Sequence, residues 1–173
     1  MRSVIRDLAE AVLRALRSGT LAHEARKEDD HQRHQDAGAA YPGDFDGVPD
    51  LRYDPHPDGR PDPGEVVWAW VPFEEDHRLG KDRPVLLVGN DGPWLLGLPL
   101  TSKDHHRDVA QEAHEGRLWC DVGSGAWDRE GRPSEVRVNR VIRVDPDQIR
   151  REGAILDRAR FDTVAAAVKA AGH

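Results

Sequence analysis

Residues 83–102 read RPVLLVGNDGPWLLGLPLTS, and this stretch decides the fold. Two short apolar runs, 84–88 and 94–100, flank Asn90, Asp91, Gly92 and Pro93, a strong turn signal between extended segments. The spacing predicts an antiparallel hairpin in which the start of the first run lies beside the end of the second. Arg83 stands eight residues before Asp91 and Thr101 ten after it, so the hairpin makes them neighbours. Pro84 favours an extended Arg83 and removes one donor from the ladder. The second run then hands over to Thr101, Ser102, Lys103, Asp104, His105 and His106. Solubility asks only for a turn after a buried strand; hydroxyls, a cation and imidazoles gathered there mark a candidate site.

Outward from the hairpin, the same grammar continues from Pro63. EVVWAWVPF (65–73) is β-branched and aromatic, RLWCDVG (117–123) is short and extended, and SEVRVNRVIRV (134–144) reads as one further strand. DPDQIRREG (145–153) reads as one or two helical turns. DRARFDTVAAAVKAA (157–171) reads as a closing helix capped by Asp157, with Phe161, Val164 and Val168 on one face. Short strands punctuated by Gly and Pro, without alternating helices, predict a mainly β domain over 63–173: a small twisted antiparallel barrel with a C-terminal helix.

The segments before it differ. SVIRDLAEAVLRALR (3–17) sets Ile5, Leu8, Val12 and Leu16 on one stripe, so residues 1–17 are expected to hold an amphipathic helix. Such a helix is marginal alone and needs something to dock on. Residues 18–62 are charged, then rich in Pro, Gly and Asp, which reads as a flexible acidic linker. Its aromatic residues Tyr41, Phe45 and Tyr53 allow a second reading, in which this part lies in a groove.

Composition limits the function. Of 173 residues 38% are hydrophobic and 33% charged, and the net charge of −7 excludes a generally basic surface. Nucleic-acid contact therefore requires a local patch. Residues 129–160 offer one, with nine Arg against six Asp and Glu, and Trp94, Trp119 and Trp127 are candidates to stack on bases. A lone cysteine, Cys120, excludes an intramolecular disulfide. No apolar run is long enough to span a bilayer, and the N-terminal residues lack the uncharged core of a signal peptide, so a cytoplasmic location is expected. His105, His106, His114 and Cys120 lack the spacing of a metal set, and Ser124 in VGSGAW lacks that of a nucleophile elbow.

PGEVVWAWVPF, HRLGKDRPVLLVGND, LGLPLTSK and VRVNRVIRVD, taken in this order and spacing, resemble the PemK/MazF family of type II toxin–antitoxin toxins. The resemblance covers residues 63 to about 170; residues 1–62 have no counterpart, which makes this an extended form. It implies an SH3-like barrel, commonly a homodimer, that cuts single-stranded RNA without metal or other cofactor. The implied reaction is attack of a ribose 2′-OH on the adjacent phosphate, leaving a 2′,3′-cyclic phosphate and a 5′-OH end. Carried over residue by residue, Arg83, Thr101, His77 and Arg137 take catalytic places, and Ser102, Lys103, Asn139 and Arg140 fall among the RNA contacts. The implied partners are single-stranded RNA and a cognate antitoxin with an acidic tail, with operator DNA met only through that complex and no membrane. Residues 41–62 combine acid with aromatics and are expected to imitate such a tail in cis. One position departs from the pattern: the family's aspartate falls on Asn139, and an amide cannot serve as a general base. The residues also allow a barrel that binds RNA, DNA or protein without cutting, or one that only dimerises while the N-terminal helix recruits a partner.

Overall fold

The computed structural model describes residues 41–102 and 116–172, together with Asp29, Gln32 and Asp36. The helix expected in residues 1–17, most of 18–40 and the polar loop that carries Lys103 lie outside the described residues.

Among the described residues seven strands form one bent sheet: β1 (Glu65–Pro72), β2 (Gly80–Asp91), β3 (Trp94–Thr101), β4 (Trp119–Gly123), β5 (Ser134–Arg137), β6 (Ile142–Val144) and β7 (Arg151–Ile155). A helix, α1 (Arg158–Ala170), closes the chain. The sheet order is β4-β5-β3-β2-β1-β7, and β6 also pairs with β3. β3 thus shares one edge between two partners, β6 at Leu95–Gly97 and β5 at Leu100 and Thr101. This division curls the sheet into a half-barrel.

The apolar runs lack strict polar alternation because both faces of the central strands are covered. Val66, Leu86, Val88 and Leu98 face one core, shared with Phe161, Val164 and Val168 of α1. Val67, Ala69, Val71, Val85 and Leu87 face the other, with Ile142 and Val144 of β6. Neighbouring residues of β1 and β2 therefore enter different cores, as the two-residue period of a strand requires. The hairpin turns where the sequence places it: Asp91 pairs with Trp94 across a two-residue loop, and Gly92 takes the positive φ of 60° that this turn needs. Asp157 caps α1 by accepting from the Arg160 backbone N–H at 3.0 Å.

Two readings change. SEVRVNRVIRV is two strands, β5 and β6, separated at 138–141. The stretch read as helical turns is a single 3-10 turn, Pro146–Gln148, followed by β7, whose residues pair with the otherwise open edge of β1. An unpaired edge leaves backbone donors and acceptors unsatisfied, which favours a strand here over a local turn.

Residues 41–62, linker-like in composition, run as a strap across the barrel. The Phe45 N–H donates to the Val141 carbonyl at 2.8 Å and the Arg52 N–H to the Val88 carbonyl at 2.8 Å; the Tyr53 hydroxyl donates to the Leu156 carbonyl at 2.8 Å. Phe45, Leu51 and Tyr53 pack against the helix-side core. The aromatics supply the apolar burial that the rest of the segment lacks. The crossing point is recorded in β2: a Cβ at Gly89 would lie 2.6 Å from the Asp50 carbonyl oxygen, and the β2–β3 register shifts between Leu87 and Gly89.

Candidate functional site

A groove of about 470 Å³ opens where the β1–β2 loop, the start of β2, the end of β3 and the β5–β6 turn converge. Its lining includes Arg83, Thr101, Ser102, Arg137 and Arg140, so five of the eight residues singled out from sequence come together. The β2–β3 register accounts for the first two. Val85 pairs with Pro99, and continuing the ladder two residues sets Arg83 opposite Thr101.

The break between β5 and β6 accounts for the next pair. In a continuous strand Arg137 and Arg140, three residues apart, would point to opposite faces. The turn at 138–141 lets both line one groove. Asn139 holds that turn: its side-chain oxygen accepts from the Leu118 N–H at 3.0 Å and from Arg137 Nε at 3.4 Å, and its Nδ2 donates to the Gly116 carbonyl. Beside it the Val138 N–H donates to the Leu118 carbonyl at 2.9 Å. Asn139 does not line the groove; its amide is spent on backbone. An aspartate would lack the donor that reaches Gly116, so asparagine suits this brace.

The arginines differ in their partners. Arg137 donates to both oxygens of Glu74, at 2.7 and 2.8 Å. This bidentate pair is the main reason the Glu74 carboxyl is held below its ordinary range. Arg140, 8% exposed, donates from Nε to Asp44 at 2.8 Å and from Nη2 to Asp44 at 3.3 Å and to the Pro72 carbonyl at 2.9 Å. Burial acts to raise the Asp44 carboxyl, but hydrogen bonds from Arg140 and Tyr41 and the nearby cations more than offset it, and its pKa falls below the usual carboxylate range. Arg83 is half-buried and has no hydrogen-bond or ion-pair partner among the described residues. Burial first, and then the charge of Arg140, push its guanidinium pKa below the ordinary arginine value. A buried cation beside a like charge is stabilised by any anion that reaches it.

His77 does not line the groove. Its ring meets Tyr41 edge-on with centroids 5.2 Å apart. Lys103 lies outside the described residues, beyond Ser102 at the groove's rim. Of the aromatics, Trp119 lines the groove, whereas Trp127 is buried, with its indole N–H donating to Ser134 Oγ at 3.1 Å, and does not offer a face for stacking. The indole N–H of Trp68 donates to the Trp127 carbonyl at 2.9 Å and ties that loop to β1. Cys120 is half-buried and its thiol is pushed up, first by burial and then by Asp121 and Glu135. Sequence reasoning missed Glu74, Arg117 and Arg132 in the lining. Arg132 bonds Asp128 at 2.9 Å across a turn, where no helical spacing marks the pair. Among the described residues, six cationic and four acidic side chains face this groove, in a chain whose net charge is −7. Chemically the arrangement suits an anion: the Arg83 guanidinium has no partner among the described residues, hydroxyls adjoin it and further cations line the edge.

A family model described as PemK-like, MazF-like toxin of type II toxin-antitoxin system matches residues 62–171. The chain belongs to this family. Solved structures to which the chain is similar include a MazE–MazF complex from Deinococcus radiodurans, 18% identical, with a TM-score of 0.45 over 65% of this chain and 96% of that one. MazF alone from the same organism is 20% identical, with a TM-score of 0.44 and the same coverage. An endoribonuclease in complex with its cognate antitoxin, from a mycobacterial species, is 15% identical, with a TM-score of 0.43 over 65% of this chain and 93% of that one. Membership rests on the family match rather than on these. No curated protein matches the chain. The matched residues of the PemK/MazF pattern contain every groove arginine, while the strap carrying Tyr41 and Asp44 precedes them. No helix among the described residues is long and apolar enough to cross a membrane.

Proposed function

We propose that this chain is the toxin of a type II toxin–antitoxin system and acts as a metal-independent endoribonuclease on single-stranded RNA. The observation that carries the reading is the Arg83 guanidinium, without a partner among the described residues, beside Thr101 and Ser102 in a groove where Arg132, Arg137 and Arg140 already hold carboxylates. A carboxylate bound bidentately to arginine occupies the place a phosphate takes, because both present two oxygens to the same fork.

In the proposed reaction the scissile phosphate binds Arg83 through its non-bridging oxygens, and the Thr101 hydroxyl donates to the same group. The ribose O2′ attacks phosphorus; the O2′–P bond forms and the P–O5′ bond breaks, giving the cyclic phosphate and a 5′-OH. Arg83 and Arg137 stabilise the charge that gathers on the phosphorane oxygens. Glu74, released from Arg137 as phosphate takes its place, receives the 2′-OH proton. While both its oxygens accept from Arg137 they are not open to that proton, so exchange precedes catalysis. His77, on the same β1–β2 loop, is kept as the proton donor to O5′ and would have to leave Tyr41 to act. Ser102, Lys103 and Arg140 extend contact along the backbone, and Asn139 contributes by holding the turn between the two arginines. An acidic antitoxin tail is the natural competitor for the same cations. Action as a homodimer in the cytoplasm, with operator DNA reached only through the antitoxin complex, belongs to the same reading.

The test is cleavage of a long unstructured RNA in excess EDTA with the product ends mapped. Cyclic phosphate and 5′-OH ends are expected. RNA retained without cutting would instead identify a binding module built on the same barrel, the reading that Asn139 in place of aspartate favours.

A further inference from the structure

Residues 41–45 precede the family-matched stretch, yet Asp44 among them holds Arg140 of the groove. None of the strap's residues lines the groove itself, so it does not cover the site as an imitation antitoxin tail would. It works from behind. The Tyr41 hydroxyl donates to Asp44 Oδ1 at 2.5 Å, and Asp44 accepts from Nε and Nη2 of Arg140. The strap's own backbone is fixed from the barrel side: Arg143 Nη1 donates to the Gly43 and Asp44 carbonyls, both at 2.9 Å, and its guanidinium lies 5.3 Å from the centre of the Phe45 ring. Arg143 is held in turn by Asp91 at 2.7 Å, at the tip of the β2–β3 hairpin. Asp44 is thus a fixed carboxylate, in contrast to the exposed Glu74 on a loop.

The donor count on Arg140 gives this its meaning. Nε and Nη2 are taken by Asp44 and the Pro72 carbonyl, and Nη1 has no partner among the described residues. One edge of a rigid fork is clamped and the remaining donors are left at a groove that Arg140 lines. The Asp44 charge also offsets Arg140 where it would otherwise repel Arg83. We infer that the N-terminal strap is a working part of the site, in which Asp44, braced by Tyr41, is a positioning residue that aims Arg140 at a phosphate of the bound strand.

This inference rests on the proposed ribonuclease reading, and its test separates the two. Full-length wild type, Asp44→Ala, Asp44→Asn, Arg140→Ala and the Asp44→Ala/Arg140→Ala double variant are compared for cleavage of one single-stranded RNA, with melting temperatures recorded alongside. A guanidinium released from its clamp loses alignment, so Asp44→Ala should lower kcat about tenfold or more with KM nearly unchanged. Asp44→Asn, which keeps the shape and one acceptor, should fall between it and wild type. Because Asp44 acts through Arg140, the double variant should be no slower than Arg140→Ala alone. Unchanged or faster cleavage in Asp44→Ala, or losses that multiply in the double variant, would overturn the inference. If wild type neither cuts nor retains RNA, the ribonuclease reading falls by itself, and the Arg140 Nε–H resonance decides the positioning. A resolved, slowly exchanging signal in wild type that is lost in Asp44→Ala would support it; a signal that persists in that variant would overturn it.

Discussion

The two walls of the groove are built on opposite plans. On the hairpin wall, Arg83 and Thr101 are placed by strand register alone, and Arg83 has no counter-ion among the described residues. On the turn wall, Arg137 and Arg140 are each held by a carboxylate brought from elsewhere in the chain, Glu74 from the β1–β2 loop and Asp44 from the strap. The first wall is ready for an anion and gains stability from one. The second is already satisfied and must exchange or share what it holds. A site with one open and one occupied wall can bind a phosphate strongly at a single point while keeping the neighbouring contacts adjustable.

The sharpest way to break this contrast is to remove the open wall. Arg83→Ala should slow RNA cleavage by about 10² to 10³, the usual cost of losing one preorganised donor to a developing oxyanion. It should leave the melting temperature unchanged or slightly higher, because the substitution removes a half-buried cation that no described residue neutralises. It should also flatten the salt dependence of RNA retention by about 0.7 in the log–log slope, as expected for one lost phosphate contact on a single strand. Filter binding across a salt series reads this.

The next test addresses how the occupied wall is held from behind. A Cβ at Gly89 would meet the Asp50 carbonyl at 2.6 Å, a backbone atom that cannot step aside. Gly89→Ala should therefore lift the strap and cost about 1–3 kcal/mol in denaturant unfolding. Limited proteolysis within residues 46–60 should accelerate in parallel.

The smallest effect concerns Glu74. Its carboxylate is 43% exposed, so its pair with Arg137 is screened and worth at most about 1 kcal/mol. Glu74→Gln should tighten retention of single-stranded RNA by roughly threefold, since phosphate no longer displaces a charge, while slowing cleavage if the released carboxylate takes the 2′-OH proton. Because Arg137 lowers the Glu74 pKa from its ordinary 4.5, the pair's contribution to stability is complete above pH 4.5 and fades as pH falls through the folded-state value. The wild type should lose stability along that acid limb, and Glu74→Gln should lose less of it. Thermal melts from pH 6 downward compare the two.

How much of this was legible follows from the kind of signal each part leaves. The hairpin announces itself through two short apolar runs and a turn that needs Gly92, and those two facts alone bring Arg83 to Thr101. The resemblance to the family added Arg137 and Arg140, which local pattern would have set on opposite faces. Their common orientation depends on the 138–141 turn, held by bonds from Asn139 to residues 21 and 23 positions away. No window of sequence contains that information. The strap was harder still. Its anchors Phe45, Leu51 and Tyr53 are sparse, without helical or strand periodicity, and the charged residues between them dominate its composition. Its docking mark, Gly89, sits inside another strand and reads there as an ordinary glycine. β7 escaped for a similar reason, since REGAI becomes a strand because β1 needs an edge partner.

The central claim is that this groove presents a phosphate to its own 2′-OH. The most direct test uses an RNA containing one mapped cut site, synthesised with and without a single 2′-deoxy substitution on the nucleotide 5′ of that site, and incubated with wild type in EDTA. Equal retention of both strands is expected, with cleavage of the all-ribose strand to cyclic phosphate and 5′-OH ends and no cleavage at the substituted position. Cutting that persists at the deoxy position would contradict the claim, because the nucleophile would then have to come from elsewhere.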